Sequence, residues 1–355
     1  MNKKALIAMS GGVDSAVAAL LMKEQGFDCI GITMRLFNNE DVGVDSKRSC
    51  CSLEDVELAE SVANRLGIPF YVFNLADDFK KQVIERFVEE YRQGGTPNPC
   101  IDCNRFIKFE RLFNRANRLG MDYVVTGHYV QVEKAGDRYL LKKGADPAKD
   151  QSYVLYAMTQ EQLRHTLFPL GGLKKQEVRA IAAKHGFSNA EKPDSQDICF
   201  VRNGDYAAFI AQYTGEEYPE GDFIDTNGKV LGRHKGIIRY TIGQRKGLGV
   251  AFGKPLYVCA KNPADNTVTL CEDEDLFTRS LYAGDFNWIP FDEPKGAVRV
   301  KARVRYSQKE KWAMAQAADN GKVYIEFDEP QRAIAKGQAV VLYDGDIVIG
   351  GGTIL

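Results

Sequence analysis

The sequence predicts an α/β protein: a parallel sheet covered by helices in the first part, then smaller domains built from β-strands. Three observations carry this. Short apolar runs alternate with helical patterns from Lys4 to Leu119, the pattern of a parallel sheet with crossover helices. A glycine pair, Gly11-Gly12, follows the first apolar run directly, at the carboxyl end of a strand where such sheets bind ligands. After about Gly215 the runs shorten and are separated by Gly, Asn, Asp and Pro, which is the texture of β domains.

The elements follow in order. Strands are expected at Lys4–Met9, Cys29–Met34, Phe70–Leu75 and Tyr123–Thr126, and helices at Ser15–Gln25, Leu53–Leu66, Phe79–Arg92 and Lys108–Leu119. Ser52, with Asp55 three residues on, fits a capping box for the second helix. Lys174–His185 and Asp205–Tyr213 read as further helices. Beyond them, Gly236–Tyr240, Pro255–Ala260 and Thr267–Cys271 read as strands, then Val298–Tyr306, Lys311–Ala318, Lys322–Phe327 and Gln338–Leu342.

The first ligand to consider is a nucleotide. Ser10-Gly11-Gly12-Val13-Asp14-Ser15 lies between a strand and an amphipathic stretch. Glycines let the backbone turn and approach a ligand, and the loop N–H groups with the helix N-terminus suit pyrophosphate. No Gly-Lys-Ser/Thr follows, so this is not a Walker loop. A ligand-free strand–helix turn is the plainer alternative. The net charge of −1 excludes a global field for nucleic acid, so contacts with it must come from local patches. The apolar run after Lys3-Lys4 is too short for a secretory core, and no membrane span is present. A cytoplasmic protein with reduced thiols is therefore expected, and its eight cysteines are read as packed, catalytic or metal-bound.

Three cysteines stand out. Cys100 and Cys103 lie in Thr96-Pro97-Asn98-Pro99-Cys100-Ile101-Asp102-Cys103-Asn104, and Cys199 lies in Pro193–Phe200. The prolines are expected to delay a helix until about Asn104, placing Cys103 just before a helix that begins near Arg105 or Phe106. There Arg105 and Lys108 would favour the thiolate. Three readings stay open: incidental thiols, a metal or iron–sulfur site, and persulfide chemistry closed by a disulfide. Cys50-Cys51 read as loop thiols, and Cys29, Cys259 and Cys271 as core.

With the loop and these cysteines together, the chain resembles the bacterial tRNA-specific 2-thiouridylase family (tRNA-uridine 2-sulfurtransferases) of the N-type ATP pyrophosphatases. Matching stretches are Met9–Ser15, Thr96–Phe109, Thr126-Gly127-His128-Tyr129, Lys149–Tyr153, Lys192–Phe200, Tyr240–Gly249 and Arg303–Tyr306. The resemblance covers nearly the whole length. It implies an ATP pyrophosphatase domain (1–214), a small central domain (215–279) and a C-terminal β-barrel that binds tRNA (280–355).

The resemblance also implies the reaction. ATP, with Mg2+, adenylates the C2 oxygen of the wobble uridine. A persulfide on Cys199 delivers sulfur, and Cys103 resolves it as a disulfide. Ala8, Met9, Ser10, Gly11, Gly12, Val13, Asp14, Ser15, Met34 and Gly127 would contact ATP. Asn98, Pro99 and Cys100 would lie by the base, and Lys149, Asp150, Gln151, Arg305 and Tyr306 would touch tRNA. Some members carry Asp where Cys100 stands, so Cys103 is taken as the resolving thiol. An iron–sulfur-dependent version would use Cys100, Cys103 and Cys199 as ligands. Lysine, glutamate and glutamine tRNAs are the implied substrates, and a cysteine desulfurase or sulfur relay protein the implied donor.

Arg299, Lys301, Arg303 and Arg305 alternate with apolar residues. They would share one strand face at roughly 6.6 to 6.8 Å spacing, either as an RNA stripe or as a solvated barrel face. Arg233, His234, Lys235, Arg239, Arg245 and Lys246 form a second basic group, read as a surface for tRNA or the sulfur donor, or as ordinary solvated charge. His128 is expected to make a positioning hydrogen bond near the nucleotide; Asp14 is expected to influence magnesium held by the phosphates, although the sequence offers no dedicated metal cage. The polar segment Leu36–Arg48 is expected to order on tRNA. Two other functions compete: an ATP-dependent ligase of the same superfamily, which has no use for paired thiols, and a non-catalytic RNA-binding or iron–sulfur protein, which has none for the ATP loop.

Overall fold

The computed structural model describes residues 2–37, 53–194, 197–201, 204–249 and 253–355. Ser52, the Cys50-Cys51 pair and most of Leu36–Arg48 lie outside the described residues.

The first sheet is parallel, in the order β3-β2-β1-β4-β7. Its strands are β1 (Lys4–Ala8), β2 (Asp28–Arg35), β3 (Phe70–Asn74), β4 (Tyr123–Val125) and β7 (Thr166–Leu167). Helix α1 (Val13–Glu24) connects β1 to β2, and α2 (Leu53–Leu66) precedes β3. Ala5, Leu6 and Ile7 are fully buried, because helices cover both sheet faces. The strand order reverses at β1, so the crevice for a ligand opens where β1 and β4 end side by side, with Ile7 paired to Val125.

Two long helices deviate from simple α geometry. Helix α3 runs through Ala76–Phe79, a π-helical Lys80–Ile84 and Glu85–Arg92. Helix α4 runs through Pro99–Asp102, a π-helical Cys103–Arg111 and Leu112–Arg118. This corrects the expected helix start. Pro99 takes the first helical position, where its missing N–H costs nothing, and Asn98 Oδ1 accepts from the Cys100 N–H at 3.2 Å. Cys103 is therefore inside the helix rather than ahead of it, and the argument for an activated thiolate at its N-terminus does not apply to it.

Helices α5 (Gln160–Arg164), α6 (Lys175–Lys184) and α7 (Tyr206–Thr214) follow. A four-stranded sheet comes next, in the order β10-β11-β8-β9. It comprises β8 (Gly221–Ile224), β9 (Val230–His234), β10 (Tyr257–Asn262) and β11 (Thr267–Cys271). The expected strand Gly236–Tyr240 is instead a 3-10 turn over Ile237–Arg239. Gly236 sits at φ +98°, outside the strand region, and Ile237 and Ile238 turn inward together.

The last sheet closes on itself. Strands β12 (Phe277–Trp288), β15 (Lys322–Arg332), β14 (Lys311–Ala318), β13 (Val298–Arg303), β16 (Ala339–Asp344) and β17 (Ile347–Ile354) form an antiparallel barrel, with β12 pairing back to β17. A hairpin from much earlier in the chain, β5 (Val130–Ala135) and β6 (Arg138–Lys143), extends this sheet through Ile347 and Lys142. The α/β part and the barrel thus share a sheet.

Other ties lock the parts together. Arg105 makes a bidentate ion pair with Asp285 of β12, and Gln338 Nε2 donates to Thr96 O at 2.7 Å. Lys261 of β10 donates to Gly95 O and Tyr240 O.

Candidate active site

The phosphate loop is built by its own backbone. Gly11 has φ +73°, and a Cβ there would meet Asp55 O at 2.4 Å, so only glycine fits between β1 and α2. The Ser15 hydroxyl donates to Gly12 O at 2.9 Å and accepts from Ser10 N–H at 3.1 Å. Met9 and Val13 bury their side chains, leaving backbone, Ser10 and Asp14 to face a ligand. Gly127, after β4, packs so closely on the loop that a Cβ would lie 2.9 Å from the Asp14 carbonyl carbon. The predicted loop residues, Ala8 to Ser15, and Gly127 therefore form one cradle whose close approach and free helix N-terminus suit a nucleotide's phosphates.

A charge network supports this cradle. Lys175 Nζ donates to Asp14 Oδ1 and Oδ2 at 2.8 and 2.7 Å, and reaches Asp194 at 2.7 Å. The Tyr129 hydroxyl donates to Asp14 at 2.6 Å. Asp194 also binds Lys149 at 2.7 Å and Arg179 at 3.3 Å. Burial opposes ionisation of Asp194, but the hydrogen bonds from Lys149 and Lys175 outweigh it and hold the carboxyl below its usual range. Asn189 Nδ2 donates to Gly11 O, and Lys192 pairs with Asp55. Sequence reasoning missed Lys175, Asp194, Asn189 and Tyr129 as site residues. Two lay in stretches matched to the family, but their contacts with the loop are long-range, and no local pattern announces them.

The thiols belong to a separate hydrophobic cluster. Cys103 is buried in a cluster with Phe79, Phe87 and Phe200, against which Cys199 and Met34 also pack. Each of these phenylalanines contributes about 1.5–3 kcal/mol by burial. Phe200 meets Phe79 and Phe87 edge-on at 5.7 and 5.3 Å, which fixes the chain beside Cys199. The described cysteines stand as thiols.

Cys100 is exposed to solvent although protein crowds it closely. This crowding raises its thiol pKa, and Lys108 opposes the shift. Among the described residues no three His, Cys, Asp or Glu side chains gather as metal ligands. Cys100 opens on the surface while Cys103 faces the core, so the three thiols do not present a ready-made iron–sulfur ligand set. Nor does Asp14 belong to an acidic cage; its carboxylate is held by Lys175 and Tyr129.

Of the residues expected at tRNA, Tyr306 lies within electrostatic reach of Cys100, Lys149 and Asp150. The Tyr306 hydroxyl donates to Asp150 O at 3.1 Å, and both Cys100 and Lys149 act electrostatically on it. The Asp150 side chain is buried and accepts from Gly144 N, Ser152 N and the Ser152 hydroxyl. Gln151 Oε1 accepts from Tyr129 N, tying this loop to the phosphate side. Arg305 donates to Ile242 O and Ala333 O, so it braces the barrel against the central part.

Two basic surfaces differ from expectation. On β13 Arg299, Lys301 and Arg303 alternate with buried residues, while Arg305 lies past the strand's end; Arg299 is paired with Asp328 at 2.6 Å and Arg303 with Glu310 at 3.3 Å. Two of the four cations are thus paired, one with Asp328 of β15 and one with Glu310 just ahead of β14. In the second group His234 is fully buried and contacts Asn266 O, and Arg233 pairs with Asp222, so this group is no continuous cationic patch.

His128 is buried beside the cradle. Lys108 Nζ lies 3.5 Å from Nε2, and Nδ1 lies 2.8 Å from Thr126 Oγ1. An ammonium has only donors, so Nε2 accepts and Nδ1 carries the proton. Burial and the Lys108 charge hold His128 neutral, well below its ordinary pKa.

Comparison with known proteins decides the family. The description "tRNA methyl transferase HUP domain" matches residues 3–203, a "PRC-barrel domain" of the same group 207–272, and an "aminomethyltransferase beta-barrel domain" 278–354. The tRNA-specific 2-thiouridylase MnmA of Clostridioides difficile (strain 630) is 53% identical over 356 residues, covering 100% of this chain and 98% of that protein. The chain belongs to the tRNA-specific 2-thiouridylase family. MnmA 1 of Clostridium botulinum (strain Loch Maree / Type A3) is 51% identical over 354 residues, covering 100% of this chain and 99% of that one. MnmA of Acetivibrio thermocellus is 51% identical over 356 residues, with 99% of each chain covered. The match along the full length agrees with the three-part architecture and with an ATP-using loop.

Proposed function

We propose that this protein thiolates C2 of the wobble uridine of tRNA at the expense of ATP. The observation that carries the reading is the packing of Cys103, Cys199 and Met34 into one cluster beside a strand whose neighbour ends in the phosphate loop. A methyl transferase or a ligase has no use for that pair of thiols next to that loop.

The uridine C2 carbonyl is a poor electrophile. Adenylation turns its oxygen into a leaving group, with pyrophosphate released. The terminal sulfur of a Cys199 persulfide then attacks C2, and AMP departs with the bonding electrons. The Cys103 thiolate attacks Cys199 Sγ, the S–S bond breaks, and 2-thiouridine leaves as the thiolate. The two protein thiols end as a disulfide that a reductant must reopen. Asn98, Pro99 and Cys100 would border the base, and Lys149, Asp150, Gln151, Arg305 and Tyr306 the tRNA backbone. An anticodon loop suits this site because its bases leave the stack at low cost.

Mg2+ would enter with the ATP phosphates. A cysteine desulfurase or sulfur relay protein would load Cys199, and lysine, glutamate and glutamine tRNAs would be the substrates. Among the described residues no helix is long and apolar enough to cross a membrane, which fits the cytoplasmic setting that reduced thiols require. Residues 1–214, 215–279 and 280–355 would form the catalytic, central and tRNA-binding parts, with the 130–143 hairpin lent to the third.

The test is thiolation of tRNA with ATP and a persulfide donor. Cys199→Ser and Cys103→Ser should each lower turnover at least about 10³-fold, as expected when a nucleophile is removed. With Cys103→Ser, tRNA should remain bound to the protein through a bond that dithiothreitol cleaves. Full activity in either variant would sink the persulfide–disulfide route.

A further inference from the structure

The reaction proposed above must join two ends of the site, the phosphate loop and the Cys100–Cys103 segment. Lys108 stands between them. On α4 it lies two turns beyond Cys100, and its charge acts on the Cys100 thiol. Its Nζ reaches His128 Nε2 at 3.5 Å. His128 directly follows Gly127, which packs against the backbone of Asp14 and Ser15.

The surrounding cations are already engaged. Lys175 spends its donors on Asp14 and Asp194, Lys149 is bound to Asp194, and Lys192 to Asp55. Among the described residues no carboxylate lies within ion-pair distance of Lys108; a neutral imidazole holds it instead. A half-buried cation without an acidic partner among the described residues can serve a ligand's charge instead.

Charge appears in that space during adenylation. The uridine C2 oxygen forms a bond to the α-phosphorus. The bond from phosphorus to the bridging oxygen breaks, pyrophosphate leaves with the electron pair, and the N3 proton passes to water. The phosphoryl oxygens need a cation throughout, since positioning and electrostatics supply most of the catalysis of phosphoryl transfer.

We propose that Lys108 is a catalytic residue of the adenylation step, its ammonium facing the α-phosphate oxygens, with His128 as the positioning residue that aims it. The role rests on the thiolation reading above and adds a group that the loop itself does not supply.

Single-turnover release of pyrophosphate from ATP, with and without tRNA, tests it. Affinity for α,β-methylene-ATP is measured in parallel by equilibrium dialysis, and thermal melting confirms folding. Lys108→Gln should slow tRNA-dependent release about 10²–10³-fold, the usual cost of losing one preorganised charge. Lys108→Arg should recover part of the rate by restoring the charge. His128→Gln should slow release about tenfold, in kcat rather than KM. In all three, analogue affinity should stay within about threefold of wild type.

Release by Lys108→Gln within about threefold of wild type overturns the role, and so does analogue affinity that falls as far as the rate. If Lys108→Gln fails to fold, Lys108→Arg and His128→Gln decide, and wild-type kinetics in both overturns it. Wild-type protein that releases no pyrophosphate with tRNA overturns the thiolation reading as well, so the two failures are told apart.

Discussion

The phosphate loop and the thiol pair solve one problem, holding a reactive group still, by opposite means. The loop does so within six consecutive residues: Gly11 turns left-handed, Ser15 ties the turn, and the helix dipole is attached. The thiols come from two distant segments, and only tertiary packing around Phe79, Phe87 and Phe200 brings them together. A local device is rigid as soon as its strand and helix form. An assembled device is only as fixed as the core around it, so the nucleotide end should break at single residues and the sulfur end through its packing or its chemistry.

The sharpest way to break this comparison is Gly11→Ala. The added Cβ meets a backbone oxygen at 2.4 Å in a conformation that disfavours side chains. The backbone strain alone is about 1–3 kcal/mol, and relief of the clash must displace the loop. ATP affinity should fall at least about 10²-fold, equivalent to about 2.7 kcal/mol. Iodoacetamide labelling of Cys199 should keep its wild-type rate, because its packing does not involve the loop. If labelling changes as much as ATP binding, the two ends are not separable.

This contrast also explains what the sequence revealed. The loop, the parallel sheet and most strands of the barrel were legible because apolar alternation and glycine spacing are local signals. The start of α4 was misjudged because a proline reads as a breaker, whereas Pro99 behind the Asn98 cap begins a helix. The β5–β6 hairpin went unnoticed although Gly136-Asp137 marks its turn; its partner strand lies some two hundred residues further on. The Lys175–Asp194 hub was invisible for the same reason, since charges on a loop and a helix carry no mark of their partners. The alternation along β13 was legible, but not the partners of its cations: Asp328 lies on β15, and Glu310 in the turn that follows β13.

A smaller effect tests whether that hub joins the two ends. Lys175→Met would strand Asp14 and Asp194, whose side chains are 31% and 23% exposed. The cost should be about 2 kcal/mol, between that of surface and buried pairs. The pH dependence has a definite sign. Asp194 has a carboxyl held low in the folded protein, so its stabilisation is present above the unfolded value, about 3.9, and is lost as pH falls through the folded value. Urea midpoints between pH 7 and 3 should therefore fall less steeply in Lys175→Met than in wild type. Parallel curves would mean that Lys175 contributes nothing to holding Asp194 ionised.

The smallest effect concerns Lys261, where the central part grips the loop ahead of Asn98. Burial lowers this lysine to about 8, with Glu90 opposing the shift. The unfolded value is about 10.4, so between these limits the unfolded chain holds more protons and stability rises with pH. Below the folded value the lysine is charged in both states, and the full cost of burying it is present. Lys261→Met removes this cost but also the donations to Gly95 O and Tyr240 O, each worth about 0.5–1.5 kcal/mol. The net change near pH 7 should then be small, about 1 kcal/mol. What distinguishes the variant is slope: from pH 7.5 to 9.5, wild type should gain stability to urea relative to Lys261→Met. That window stays below the titration of the buried tyrosines, whose pKa values burial raises. Equal slopes would show that Lys261 stays charged in place, and the grip on Gly95 would then be an ordinary hydrogen bond from a solvated cation.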